Sequence, residues 1–348
     1  DRFTGKGGRF VRGFGRLAGP GRVEVGGDVY QAGKGVVLSV GTAPNIPPID
    51  GLAGTPYWTN REAIEATEVP DSLLVLGGGA IGVELAQVFA RFGARVTVIE
   101  GADRLLSMEE PESSDLVRTA LEGDGVAVHT GVHATAVAHD GNEFTVTLDD
   151  GTRLSGQRLL VAVGRKPNVG AIGLETVGLD GVVVDEWLRA GDGLWAVGDI
   201  TGHGAFTHVA MYQADIVVRD ILGQGGASAD YRALPRVTFT DPEIGAVGLT
   251  ERQARERGIA VRTYTTDLTA SSRGWIHKAG NAGFIKVVAD EARGVLVGAT
   301  SAGPCGGEVL SALAVAVHGA VPVERLQNMI YAYPTFHRAI ETAVKGLR

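Results

Sequence analysis

The sequence predicts an α/β fold followed by a separate α+β domain, and three observations carry that prediction. A short apolar run, Leu73–Leu76, leads into Gly77-Gly78-Gly79-Ala80-Ile81-Gly82 and then into a stretch with helical periodicity. A second strand pattern, Arg95–Ile99, follows and ends at Glu100. Strand–helix–strand alternation of this kind builds parallel sheets. Beyond the glycine-rich stretch Gly223–Ala229 the pattern changes to mixed strands and helices, which marks a new domain from Asp230 onward.

Taken in order, residues 1–41 read as short strands separated by turns. Arg9–Val11, Arg22–Val25 and Val36–Val40 are the strand candidates. Pro44, Pro47 and Pro48 mark an extended connection. The strand Leu73–Leu76 precedes a helix over Val83–Phe92, with Leu85, Val88, Phe89 and Phe92 on its expected apolar face and Gly93 as its stop. A second helix is expected over Ser113–Leu121. Strands follow at Val126–His129, Phe144–Leu148 and Arg158–Val163, with Asp149-Asp150-Gly151 as a hairpin turn. Leu194–Val197 reads as a strand running into Gly198-Asp199, and a helix is expected over Thr207–Leu222. In the last domain Val237–Phe239, Val261–Thr265, Gly283–Val288 and Val295–Thr300 read as strands. Glu308–His318 and Val323–Met329 read as helices.

Composition sets the outer bounds. The 348 residues suffice for two to three domains. Apolar residues make up 44% and charged residues 21%, as in ordinary globular chains. Glycine, 52 of 348 residues, is about twice its usual ~7% share, which suits tight turns and close backbone approach to ligands. A net charge of −8 offers no basic face for nucleic acid or an anionic membrane. The longest apolar stretch, Val309–Val317, is broken at once by His318 and Gly319, short of the ~18 residues that span a bilayer. The start, Asp1-Arg2-Phe3-Thr4-Gly5, lacks a signal-peptide pattern and an initiating Met. Cys305 is the only cysteine, so no intrachain disulfide or cysteine metal cluster is expected. That fits a reducing, cytoplasmic setting. The eight histidines show no metal-ligand spacing, and no Gly-x-Ser-x-Gly elbow occurs.

The chemistry concentrates in Gly77-x-Gly79-x-x-Gly82. The first glycine permits the tight turn, the second lets backbone approach a pyrophosphate, and the third lets helix pack close to strand. With Ala80 and Ile81 they open a helix whose N-terminus favours phosphate charge. Glu100, 18 positions past the last glycine, can accept from the adenosine ribose hydroxyls, which favours NAD over NADP. Arg104 close by leaves NADP open.

These motifs, with others in the same order, resemble the FAD-dependent pyridine nucleotide–disulfide oxidoreductases of class I: dihydrolipoamide dehydrogenase, glutathione reductase and mercuric reductase. Ser39-Val40-Gly41-Thr42-Ala43-Pro44 is similar to their Ala-Thr-Gly-Ser-x-Pro segment. Val163-Gly164-Arg165-Lys166-Pro167-Asn168 is similar to their Gly-Arg-x-Pro-Asn turn, and Ala196-Val197-Gly198-Asp199 to their second flavin motif. Thr240-Asp241-Pro242-Glu243-Ile244-Gly245 resembles the start of their dimerisation domain, and Tyr333-Pro334-Thr335 their C-terminal His-Pro-Thr or Tyr-Pro-Thr. The resemblance implies Rossmann-like FAD- and NAD(P)-binding domains with a C-terminal α+β dimerisation domain. It divides the chain into a first part of the FAD domain (1–57), an NAD(P) domain (58–181), a closing part of the FAD domain (182–226) and a dimerisation domain (230–348).

The resemblance also implies roles. Asp199 would accept from the flavin's ribityl hydroxyls, with Gly198 allowing close approach. His208 to Ala210, at a helix start, would face the flavin's pyrimidine edge. Gly15 would lie by the FAD adenosine, Gly41 and Thr42 near the diphosphate, Glu84 beside the nicotinamide and Gly164 near its ribose. Two departures from the pattern stand out. The family's first FAD fingerprint and Cys-x4-Cys pair do not occur, and the chain starts well inside the family's length. The expectation is therefore that it is part of a longer protein, the alternative being a true truncation, with an incomplete flavin domain that exposes apolar surface and is mobile or abnormally packed. The second departure concerns the C-terminal His and the Glu five residues on, which are Tyr333 and Arg338 here. Tyrosine, with an ordinary pKa near 10, is a poor base at neutral pH. It occurs here in the mercuric reductase and transhydrogenase branches, so Tyr333 stays a catalytic candidate, with His337 as the second. The expected activity is hydride transfer from NAD(P)H to FAD and onward to a small-molecule acceptor, in a homodimer. The acceptor is a disulfide if an upstream cysteine pair exists, and a quinone or similar oxidant if not. The alternative is an NAD-binding, dimer-forming chain without flavin or turnover.

Overall fold

The computed structural model describes residues 2–347. Asp1 and Arg348, the outermost residues of the first and last expected segments, lie outside it. The chain divides into two compact units. One comprises residues 2–43 and 165–231, and the other 44–164 and 232–347.

The first unit begins with an antiparallel ribbon of β1 (Gly15–Leu17), β2 (Arg22–Val25) and β3 (Asp28–Gln31). The Gly26-Gly27 turn between β2 and β3 takes positive φ at both residues, which glycine alone adopts freely. Arg9–Val11 forms no strand. The local alternation there has no partner strand to pair with, and Phe10 and Phe14 stand exposed. After β4 (Val36–Leu38) and β5 (Thr42–Pro44) the chain enters the second unit.

There α1 (Asn60–Glu65) starts with a capping box between Thr59 and Glu62. β6 (Ser72–Leu76) is buried throughout. It runs into α2 (Ala80–Arg91), β7 (Arg95–Glu100), α3 (Pro111–Gly123) and β8 (Ala127–Thr130). The apolar face of α2 differs from the expected one. Val83, Ala86 and Phe89 are buried, whereas Val88 is 44% and Phe92 67% exposed. The small residues Gly82 and Ala86 set the side that approaches the sheet, and a count of large apolar residues passes over them. A ribbon of β9 (Ala134–His139), β10 (Phe144–Leu148) and β11 (Arg153–Gly156) follows, with Gly151 at φ +85° in its Asp-Asp-Gly turn. β12 (Arg158–Val161) then returns beside β6, giving a parallel sheet in the order β12-β6-β7-β8.

β13 (Arg165–Pro167) pairs with β5 and re-enters the first unit. β14 (Arg189–Gly191) and β15 (Leu194–Ala196) join β4 in a three-stranded sheet, β15 lying parallel to β4. The helix α4 (Thr207–Ile221) buries Val209, Ile216 and Val217 along one stripe. The chain then crosses back. β16 (Pro235–Thr238), β17 (Glu243–Gly248), α5 (Glu251–Glu256), β18 (Val261–Asp267), α6 (Ser272–His277), β19 (Phe284–Asp290), β20 (Val295–Gly303), α7 (Gly306–His318), α8 (Val323–Asn328) and α9 (Ala339–Gly346) complete the second unit. Their sheet is antiparallel, in the order β16-β17-β20-β19-β18. Ile285, Val287, Leu310, Leu313, Ile340 and Val344 form its core with α7 and α9. Ile244, Phe284 and Ala302 extend into the core around β6 and α2. The fold is thus α/β with a C-terminal α+β portion. No described helix is long and apolar enough to cross a membrane.

Candidate functional site

The second unit assembles the glycine motif as a turn between β6 and α2. Gly77 has φ +107°, and a Cβ there would lie 2.5 Å from the Ala162 carbonyl oxygen. The motif therefore packs against the turn that carries Gly164, itself at φ +116°. A Cβ at Gly82 would fall 1.9 Å from the Gly77 oxygen, so only glycine lets α2 approach this closely. At Gly79 nothing lies within 4 Å of the same position. Gly79 is also the N-cap of α2 and supplies no side-chain acceptor to the first-turn N–H groups, to which Ala80 and Ile81 belong. An open, uncapped helix start beside a small-residue turn fits a pyrophosphate. Glu100 reaches back to this turn: its carboxylate accepts from the Gly78 N–H at 2.5 Å and the Ala102 N–H at 2.7 Å.

Arg104 takes no part in that edge. Its guanidinium donates to the carbonyls of Leu106, Ser107 and Glu109 and to Ser114 Oγ, bracing the 104–109 turn. Glu84, one helical turn into α2, accepts from the Phe239 backbone N–H at 2.7 Å. Burial raises its pKa above the ordinary glutamate value, and the Phe239 amide works in the opposite direction.

In the first unit Thr42 Oγ1 donates to Asp199 Oδ2 at 2.7 Å. Arg165 donates from Nε to Thr42 Oγ1 and from Nη2 to the Thr42 carbonyl, both at 2.7 Å, and its Nε stands 4.0 Å from Asp199 Oδ2. Gly41 accepts from the Asn168 N–H. Gly198, at φ +79° and ψ −155°, adopts a conformation reserved for glycine, and a Cβ there would touch Ala210 Cβ at 3.5 Å. The N-cap of α4, Phe206, offers no side-chain acceptor, and His208 stacks on its ring at 5.1 Å between centroids. A glycine approach, a carboxylate at a helix-like turn and an uncapped helix start together suit a flavin's ribityl chain and pyrimidine edge. Gly15 lies in β1, exposed and with open neighbours at 3.8 Å or more, so this geometry does not require glycine there.

At the C-terminal candidates, the Arg338 guanidinium lies 5.6 Å from the Tyr333 ring centroid. Its nitrogens also reach the Tyr331 carbonyl and Glu341. His337 faces Tyr331 at 6.0 Å between centroids. Among the described residues neither Tyr333 nor His337 shares a hydrogen bond, ion pair or ring contact with the nucleotide set.

Several participants escape sequence reasoning. Gln213, fully buried in α4, accepts from the Gly198 N–H at 2.6 Å and donates to Thr201 and Tyr231. A polar residue on the apolar stripe of a helix was its visible signal. Arg165 was visible only as part of a turn motif.

Comparison with known proteins decides the family. The sequence profile of the pyridine nucleotide-disulphide oxidoreductases matches residues 4–214, and that of their dimerisation domain matches residues 234–344. The chain belongs to this family. The mercuric reductase of Streptomyces lividans is 36% identical over 329 residues, covering 92% of this chain and 69% of that protein. The mercuric reductase of Shewanella putrefaciens is 34% identical, and the chain spans 54% of its length. The dihydrolipoyl dehydrogenase of Thermus scotoductus is 33% identical over 353 residues, with 75% of its length covered. Among solved structures, the HOCl-induced flavoprotein disulfide reductase RclA of Escherichia coli superposes with a TM-score of 0.87 at 28% identity. That likeness covers 96% of this chain and 78% of the other. LpdA of Mycobacterium tuberculosis gives a TM-score of 0.87 at 27% identity, covering 99% and 78%. The family uses FAD and NAD(P)H. The chain thus spans little more than half the length of several mercuric reductases it matches.

Proposed function

We propose that this chain belongs to an FAD-dependent oxidoreductase that takes reducing equivalents from NAD(P)H and delivers them to a small acceptor. The observation that carries the reading is the turn at Gly77–Gly82, with its open Cβ space at Gly79 and the Glu100 carboxylate folded back onto it. When bound, FAD supplies the redox chemistry, accepting a hydride from the nicotinamide and releasing electrons to the acceptor. The chain's own residues bind and orient. The start of α2 holds the pyrophosphate, Glu100 the adenosine ribose, and Glu84 and Gly164 border the nicotinamide. Gly41, Thr42, Gly198, Asp199 and the start of α4 with His208 and Ala210 hold the flavin, and Gly15 borders its adenosine. NAD is the favoured donor, because Glu100 offers an acceptor where NADP carries phosphate and the Arg104 donors are committed to backbone carbonyls.

A small oxidant such as a quinone is the favoured acceptor, because Arg338 on the Tyr333 ring supplies no carboxylate-oriented base. Match to the dimerisation profile, with Ile330 and Tyr333 largely exposed, supports a homodimer in which Tyr333 and His337 serve the partner's site. The single cysteine, Cys305, favours a reducing, cytoplasmic setting.

The test is anaerobic titration of the purified protein with NADH, followed by its visible flavin absorbance. Bleaching of that band, and its return on adding a benzoquinone, supports the reading. A colourless protein that still binds NADH supports the alternative, a dinucleotide-binding, dimer-forming chain without turnover.

A further inference from the structure

We propose that Lys286 is a positioning residue for the dinucleotide: it fixes segment 101–112, which shapes the adenosine end of the site. The inference rests on the assignment of the Gly77–Gly82 turn to NAD(P)H. Lys286 lies on β19 with its side chain 7% exposed. Its ammonium has three donors and meets three carboxylates, Glu112 at 2.8 Å, Glu110 at 3.0 Å and Glu251 at 3.2 Å. Glu110 also accepts from the Glu251 backbone N–H at 2.7 Å. The adjacent Glu109 takes both Nε and Nη2 of Arg236, on β16, at 2.6 and 2.8 Å. One end of the segment is thereby held by β16, β19 and the start of α5.

The other end holds the turn. Leu106 donates its N–H to the Gly78 carbonyl at 2.9 Å. A Cβ on Gly78 would meet Leu105 Cδ2 at 2.5 Å, so Leu105 packs directly under the motif. Ala102 donates to the Glu100 carboxylate. Between the two ends, Leu106 stands at φ +46°, a left-handed conformation that a leucine keeps only where its surroundings impose it. The Arg104 guanidinium and Ser114 Oγ, which donates to the Leu105 carbonyl, complete the brace. Buried charges of this kind are hard to maintain for stability alone, since an apolar cluster of equal volume often serves as well. Here the three-pronged grip sets a defined path for the chain that carries the ribose-facing edge.

The experiment measures the affinity of the full chain for NADH and for ADP-ribose by calorimetry, well below the melting temperature, for the native sequence, Lys286→Met and Arg236→Met. Lys286→Met is expected to weaken both ligands by about 3- to 10-fold, and Arg236→Met by about 2- to 5-fold. ADP-ribose affinity within twofold of the native value in the folded variants, with only the melting temperature lowered, overturns the proposal. If Lys286→Met fails to fold, Arg236→Met decides alone. Absence of NADH and ADP-ribose binding by the native chain overturns the dinucleotide assignment and this inference with it.

Discussion

Two glycines three residues apart in one motif, Gly79 and Gly82, should respond in opposite ways to the same added methyl group. At Gly82 an alanine Cβ would stand 1.9 Å from the Gly77 carbonyl oxygen, a backbone atom that cannot swing aside. Contacts this short require a shift of at least 3.0 − 1.9 = 1.1 Å. Alanine gains about 1 kcal/mol of helix propensity over glycine. Overpacking a core costs about 1–3 kcal/mol and more against rigid neighbours, so the clash wins. A net loss of about 2 kcal/mol should lower the melting temperature of a 348-residue chain by about 3 °C. At Gly79 the Cβ meets no protein atom within 4 Å, and φ is −76°. Gly79→Ala should therefore melt as the native chain does, within about 0.5 kcal/mol. Its methyl group would occupy the approach of the pyrophosphate, and NADH affinity should fall at least about tenfold, or 1.4 kcal/mol. Differential scanning calorimetry reads the first quantity and titration calorimetry the second. Native NADH affinity in Gly79→Ala would refute the placement of the pyrophosphate at this turn. Native stability in Gly82→Ala would refute the packing argument.

Other expectations concern single charges. Glu100→Ala removes the acceptor for the Gly78 and Ala102 N–H groups. NADH affinity should drop by about tenfold, as expected for losing a bond to a charged group, while the preference for NADH over NADPH narrows, as competition titration would show. Asp220 accepts two bonds from Arg189 and one from Trp195 Nε1 at 2.8 Å, and the Arg189 bond is the main cause holding its pKa below the ordinary aspartate value. A depressed folded pKa stabilises above the unfolded value near 3.9 and is lost as pH falls through the folded pKa. Asp220→Asn should thus cost stability in urea melts at pH 7, with the difference shrinking in acid. Glu84 has the opposite sign. Its raised pKa favours the folded state below the unfolded value near 4.3, and that advantage is lost as pH rises through the folded pKa. Glu84→Gln keeps an acceptor for the Phe239 N–H, so it should melt higher than the native chain at pH 7 and equally at pH 4. An unchanged difference across that range would argue against burial as the cause.

The strand–turn–helix at 72–91 was legible because everything that specifies it is local: an apolar run, three glycines and a helical period. The same holds for the Asp-Asp-Gly hairpin and for α7. Elements diluted in small or polar residues were not legible. β17, Glu-Ile-Gly-Ala-Val-Gly, carries too little β propensity to read as a strand, yet it is buried over most of its length by its neighbours β16 and β20. β9 and β11 alternate weakly and form only because β10 lies between them. Among site residues, Glu100 follows from its spacing to the glycines. Lys286 was visible as the one charge in the apolar run Phe284–Ala289, but its partner Glu110 lies 176 residues away. Pairing over such distances is set by topology, which no local pattern encodes. The Arg165–Thr42–Asp199 set is hidden for the same reason, with Thr42 and Asp199 157 residues apart.

The parallel pairing of β4 with β15 has a consequence for the chain's synthesis. Val37 lies opposite Trp195, 195 − 37 = 158 residues later. At about 5–20 residues per second on a ribosome, β4 would wait roughly 8–32 s before its partner emerges. In that interval the residues from Pro44 to Gly164 can already be collapsing around β6. The early-made strand meanwhile keeps unpaired backbone groups and the apolar edge of Val36–Leu38 open to neighbouring nascent chains. Yield in cells should therefore track translation speed and holdase supply more closely than it tracks the melting temperature of the finished fold.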